Sequence, residues 1–330
     1  MRNRTIDVTL RLLGAAAVVL LLGAGILPRE PDRQPRRVSF RILFTGNTLG
    51  YIEPCDCSRG VLGGLDRRMA AIAENRLEDR PTVLIDFGNL FEIPTGRPMT
   101  ELGRRQAAFL AAEMERMGYT MTALGRHDLT LEPAFLAEHM PDLEYPPLLT
   151  NRAPGVDLGI ETVPRIRLEL GGLEVDVFNI VEPDMMTEGR AGLVTRWEQV
   201  LEEVLEESSR GSDPADAQIV IAHVQFAVVD KIPEWYPEID LLFHGEWQLN
   251  RQAFRIGTCV AMSAAGKGQM LGLLDASVLP RERQQENRPV FTGFQGLHVA
   301  LPPEAPADPA VRARMDAFRE ELIRDGLILP

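Results

Sequence analysis

The sequence predicts a mixed α/β domain arranged as a four-layer α/β/β/α sandwich, and three observations carry that expectation. Between residues 39 and 140, short apolar runs alternate with stretches of helical periodicity, as in strands that return through helices. From residue 160 strand-like runs follow one another directly, which calls for a second sheet. Hydrophobic residues make up 45% of the 330, enough to fill a core between two sheets and their outer helices.

The elements follow in order. Ser39 to Thr45 reads as a strand, Gly64 to Asn75 as a helix and Thr82 to Phe87 as a strand. Glu101 to Met117 has helical spacing, Thr120 to Leu124 is a short strand, and Glu132 to Met140 is helical with Thr130 as its expected cap. Leu148 to Thr150 is a short apolar stop. Thr162 to Leu170 and Leu173 to Val181 flank Gly171-Gly172, a hairpin signal. A helix over Arg196 to Ser208 precedes the strand-like runs Gln218 to Ala222 and Ile239 to Phe243. Phe254 to Ala261, Met270 to Ala276 and Val290 to Val299 complete the strands. The last helix, Asp308 to Asp325, begins with a capping Asp308 and Pro309 in its first turn.

Three segments result: a signal or anchor with linker at 1–38, the α/β domain at 39–300, and a connector with a helix at 301–330. Arg2, Arg4 and Arg11 precede the uncharged, largely apolar run Leu12 to Leu27. That length falls between a signal core and a full span, and the arginines at 29, 33, 36 and 37 balance the charge across it. The expectation is an N-terminal membrane anchor with everything after residue 38 outside the cytoplasm. The net charge of -13 spreads through segments such as Glu198 to Glu207, which argues for solubility and against a nucleic-acid partner. Three cysteines cannot form a disulfide framework, and the absence of CxxCH excludes covalently attached c-type haem.

Functional groups of open α/β sheets gather beyond the carboxyl ends of strands. The loops there read "TGNTLG" after the first strand, "DFGN" at Asp86 to Asn89, "LGRHD" at Leu124 to Asp128, "IAHVQ" at Ile221 to Gln225, and "DLLFHGEWQ" at Asp240 to Gln248. Their order resembles the metallophosphoesterase domain of UshA-type 5'-nucleotidases, of the calcineurin-like superfamily, across most of residues 39 to 280. The resemblance implies a metallophosphoesterase-type sandwich in which Asp, His and Asn side chains hold two divalent metals that activate water. Carried over by position, ligands fall on Asn47, Leu49, Asn89, Arg126, His223, Glu246 and Gln248, and only His223 retains its type. His127 matches the family's transition-state histidine.

Two divalent ions need anionic ligands, which Asn47 and Asn89 do not supply, and Arg126 adds a permanent cation. A two-metal hydrolase is therefore not expected. A single transition-metal site using His223, Glu246, His244 and Asp86 is one alternative. Another is an anion or nucleotide pocket built on Arg126, His127, His223 and His244; a third is an internal ion pair of Arg126 with Glu246 or Asp128.

"EPCDCSRGVLGGLDRR" adds a second resemblance, to the UshA-like (seleno)protein group with its EPCxC and GGLxRR motifs, matched at Gly63, Gly64, Leu65, Arg67 and Arg68. Arginine neighbours and a helix N-terminus favour thiolates at Cys55 and Cys57, and a bridge between them would be strained and labile. Three readings stay open for the pair: thiol redox with a redox partner, soft-metal binding with His127 or His223, and a tight turn with small buried thiols. Arg67 and Arg68 are candidate anion ligands beside Arg126. Cys259, His139 and His298 read as packing residues, and Trp235, Tyr236 and Trp247 as packing or a base-stacking wall. Divergent phosphoester hydrolysis remains the alternative function.

Overall fold

Alternation along the strands decides the layering. The computed structural model describes residues 37–57, 60–92, 98–246, 251–279 and 290–329, so the expected signal or anchor over residues 1–36 lies outside it. One sheet is built from β1 (Val38–Thr45), β4 (Thr82–Asp86), β5 (Met121–Thr122), β12 (Met270–Leu279) and β13 (Val290–Ala300). Its order is β13-β12-β1-β4-β5, with β1, β4 and β5 parallel. The other contains β6 (Ile166–Leu170), β7 (Leu173–Val181), β8 (Ala217–His223), β9 (Leu241–His244), β10 (Phe254–Ile256) and β11 (Cys259–Ser263). It runs β10-β11-β9-β8-β7-β6, parallel from β11 through β7. β2 (Cys55–Cys57) and β3 (Gly60–Leu62) form a separate hairpin.

Phe40, Ile42 and Phe44 of β1 meet Val177, Ile219, Leu241 and Met262 of the second sheet in one core, while Leu43 turns to the opposite side. On that outer side lie α1 (Leu65–Asn75), α2 (Glu101–Met117), α3 (Pro133–His139) and α7 (Pro309–Arg324), through Ile72, Leu110, Phe135 and Met315. The second sheet's outer face, with Phe178, Val220 and Leu242, is covered by α4 (Trp197–Arg210), α5 (Phe226–Val229) and α6 (Ile232–Trp235). The arrangement is the four-layer α/β/β/α sandwich expected from the sequence.

Two local expectations change. The run Phe254 to Ala261 is two strands, because Gly257 takes a φ of 60° and turns the chain between β10 and β11. Thr130 does not cap α3: its hydroxyl donates to the His127 carbonyl at 2.7 Å, and Glu132 precedes the helix with no side-chain cap. The connector and helix of residues 301–330 belong to the same compact unit as the domain, which runs from Arg37 to Pro330. There Phe318 stacks on Phe109 with ring centroids 4.5 Å apart, and Arg314 forms a two-pronged contact with buried Glu113. Other details hold as read. Asp308 accepts from the Ala310 and Val311 N–H groups at 2.9 Å, and Gly171 and Gly172 turn the β6–β7 hairpin with φ of 68° and 90°. Among the described residues no helix is long and apolar enough to cross a membrane.

Candidate functional site

The site forms where β1, β4, β5, β8 and β9 end together. Phe44, Phe87 and Phe243 pack beneath it at centroid distances of 4.7 to 5.1 Å, fixing the two sheets at this edge. Above them the loop after β1 is zipped to the loop after β4: Asn47 N–H donates to the Gly88 carbonyl at 2.8 Å and Leu49 N–H to that of Asn89 at 3.0 Å. Asn47, Leu49 and Asn89 sit in the left-handed region at φ of 51°, 53° and 54°, which costs energy and clusters where a backbone is held for a purpose. Gly88 must be glycine, since a Cβ there would lie 2.5 Å from the Gly125 nitrogen of the third loop.

The side chains in this cleft neutralise one another. Asn47 donates its amide to the Gly245 carbonyl at 2.8 Å and accepts from Asn89 Nδ2 at 2.8 Å. The Asn89 amide also donates to Glu246 Oε2 at 3.0 Å, while its oxygen receives the His127 N–H at 2.9 Å. Arg126 Nε donates to Glu246 Oε1 at 2.6 Å. His223 Nε2 meets the Phe87 carbonyl at 2.7 Å and Nδ1 faces Glu246 Oε2 at 3.5 Å; His127 Nε2 stands 3.7 Å from Oε1. Burial alone would raise the Glu246 carboxyl, yet His223 and Arg126 overcome it and hold the group at about 2. Burial, with Arg126 adding to it, lowers His127 to about 4.

Of the alternatives left open by the sequence, the cleft holds the internal pair of Arg126 with Glu246, made through Nε. Asp128 is elsewhere, accepting from the N–H groups of Asn89, Leu90 and Gly125 at 2.7 to 2.9 Å; burial pushes it to about 6 against those donors. It ties the second and third loops together.

The expected single-metal set does not converge. His244 points to Asp230, 3.2 Å from Nε2, and Asp230 in turn takes Arg251 at 2.9 Å. Asp86 lies under the strand ends, accepting from Thr45 at 2.6 Å, the Gly88 N–H at 2.8 Å and Thr122 at 3.3 Å. Arg67 and Arg68 are both buried: Arg67 donates to the Gly63 carbonyl at 2.8 Å and Arg68 to Thr48 at 3.3 Å, while Arg67 Nε and Arg68 Nε and Nη1 have no hydrogen-bond partner among the described residues. Cys55 is a half-buried free thiol on β2; the Cys57 side chain, Trp247 and Gln248 lie outside the described residues. Cys259 is 1% exposed in β11, and burial pushes its thiol well up. His139 packs on Phe135, His298 meets the Ser263 carbonyl at 2.8 Å, and Tyr236 packs on Trp197, while Trp235 is half exposed.

Sequence reading missed Asp230 as the partner of His244. No local motif marks it, since it belongs to the turn after α5 and meets His244 only through the fold.

The residues present do not fit a dinuclear metal centre. Two of the ligand positions are amides bonded to each other, a third is a guanidinium, and the retained His223 has one ring nitrogen committed to a carbonyl. Among the described residues no three His, Cys, Asp or Glu side chains converge as a metal-binding group.

This architecture is the fold of 5'-nucleotidases and calcineurin-like phosphoesterases. The 5'-nucleotidase precursor of Thermus thermophilus superposes with a TM-score of 0.66 at 17% identity, over 87% of this chain and 59% of that one. A calcineurin-like phosphoesterase of Bacillus subtilis gives 0.65 at 15%, covering 88% and 99%. The NAD nucleotidase of Haemophilus influenzae gives 0.65 at 13%, covering 88% and 61%. The chain thus spans about three fifths of the length of those nucleotidases. No protein-family model and no curated protein matches it.

Proposed function

We propose that this chain is an exported, membrane-tethered protein of the nucleotidase fold that has given up two-metal hydrolysis, with its working chemistry in the thiols of Cys55 and Cys57. One observation carries the reading: the Glu246 carboxylate, 8% exposed, is clasped by Arg126, Asn89 and His223 where a dinuclear centre would need carboxylates and imidazoles. What supports the thiols is Cys55 on its own hairpin, free and half-buried. Two residues along an extended strand span about 6.6 Å, the upper edge of the distance a disulfide bridges, which favours the dithiol form. The apolar run Leu12 to Leu27 supports the tether.

Hydrolysis is the second reading, favoured by His127 keeping its family position at the mouth, with a side chain 14% exposed. Metal analysis, p-nitrophenyl phosphate turnover with added Mn²⁺, and thiol titration separate the two. The expected result is no stoichiometric metal, no turnover, and reaction of Cys55 and Cys57 in the native protein, with Cys259 reacting only after unfolding. About two metal equivalents with turnover abolished by His127→Ala would establish the hydrolase instead.

A further inference from the structure

A pocket of about 600 Å³ opens along Leu49 to Pro54, the segment that leads into the thiol hairpin. Leu49, Ile52, Pro54 and Leu102 give it apolar walls, and Glu53 and Glu92 give it charge. Glu53 and Pro54 lead directly into Cys55. The wall is rigid where it matters: Gly50 N–H donates to the Leu90 carbonyl at 2.8 Å, and a Cβ at Gly50, φ 75°, would lie 3.1 Å from Glu92 Cβ. Among the described residues no lysine or arginine lines it. Arg312 and Arg319 act on Glu53 from α7 without lining the pocket, and burial still outweighs them, so its carboxyl is raised. Its volume falls within the range that encloses small ligands.

We propose that this pocket takes a small organic disulfide carrying positive charge and presents it to Cys55. The proposal rests on the thiol reading above and names its substrate class. The step balances as an exchange. The Cys55 thiolate attacks one sulfur of R–S–S–R, the S–S bond breaks, a Cys55–S–S–R bond forms, and the leaving thiolate takes up the proton Cys55 released. Positive charge is favoured because Glu53 and Glu92 line the pocket and no lysine or arginine among the described residues does; apolar walls accommodate its carbon frame.

The experiment measures mixed-disulfide formation on the full-length chain in detergent, by mass spectrometry, with three probes at one pH and ionic strength. The probes are cystamine (dicationic), 2-hydroxyethyl disulfide (neutral) and oxidised glutathione (anionic). Cys259 is sealed in β11, so the native reaction reports the hairpin. Cystamine is expected to react about tenfold faster than the neutral probe, with glutathione slowest. The double variant Glu53→Gln/Glu92→Gln should erase that preference, and Leu102→Lys, which places a cation in the wall, should reverse it. Equal rates for the three probes, or a cationic preference that survives in both variants, would overturn the pocket while leaving the thiol reading standing. No reaction with any probe would overturn both.

Discussion

A carboxylate placed between Arg126, Asn89 and His223 has to be balanced by them, and Glu246 is held at about 2 by that environment. Its folded value lies below its ordinary 4.5, so the stabilisation is complete above that pH and lost as pH falls towards about 2. Glu246→Gln keeps the shape and removes the charge. We expect it to cost about 2 to 3 kcal/mol at pH 7 in urea unfolding, at the low end for a broken buried pair because Arg126 is partly exposed. The difference from wild type should shrink between pH 4.5 and 2; a difference unchanged over that window would mean that the ion pair contributes nothing. Formate should restore stability to Glu246→Ala and leave wild type unmoved, read as a thermal shift, since only the variant offers the vacated donors.

The thiol hairpin is mounted by the motif that follows it. Arg67 closes on the Gly63 carbonyl, and the Gly63 N–H donates to the Leu301 carbonyl at 2.8 Å. Asp66 pairs with Arg312 of α7, and its carbonyl receives the Asp308 N–H at 2.9 Å. The first turn of α7 therefore braces α1, while Leu301 in the connector before it holds the hairpin base. Asp308→Ala removes the acceptor for two helical N–H groups and should cost about 1 kcal/mol, together with faster alkylation of Cys55 by iodoacetamide. Stability lost with no change in alkylation rate would confine the cap to its own helix. The GGLDRR stretch was visible in the sequence, and so was the Asp308 cap. What their arginines and carboxylates meet was not, because Asp66 and Arg312 are far apart in the chain and no periodicity links them. The same limit explains the cleft. The replacements at Asn47, Asn89 and Arg126 could be read by position, and a pairing of Arg126 with Glu246 was one of several options; only the converging loops select it. The left-handed φ at Leu49, where glycine would be the usual choice, had no local sign at all.

At the scale of the molecule, the two sheets share one apolar core, and the outer helix layer is completed by α7. Neither sheet can therefore melt while the other keeps its inner face buried, so far-UV circular dichroism and tryptophan fluorescence should report one coincident transition. α7 belongs to that unit through Val311, Met315 and Leu322, all at most 3% exposed. Burying such side chains contributes about 1.5 to 3 kcal/mol each, so removing α7 forfeits a sum comparable to the whole stability of an ordinary domain. It would also uncover Phe109, on which Phe318 stacks, and leave buried Glu113 without Arg314. A chain ending at residue 300 is expected to be insoluble, or to melt at least about 10 °C below the full-length protein with a broadened transition. Melting within about 2 or 3 °C of full length, at unchanged cooperativity, would return residues 301–330 to the separate appendage that their proline-rich connector suggests.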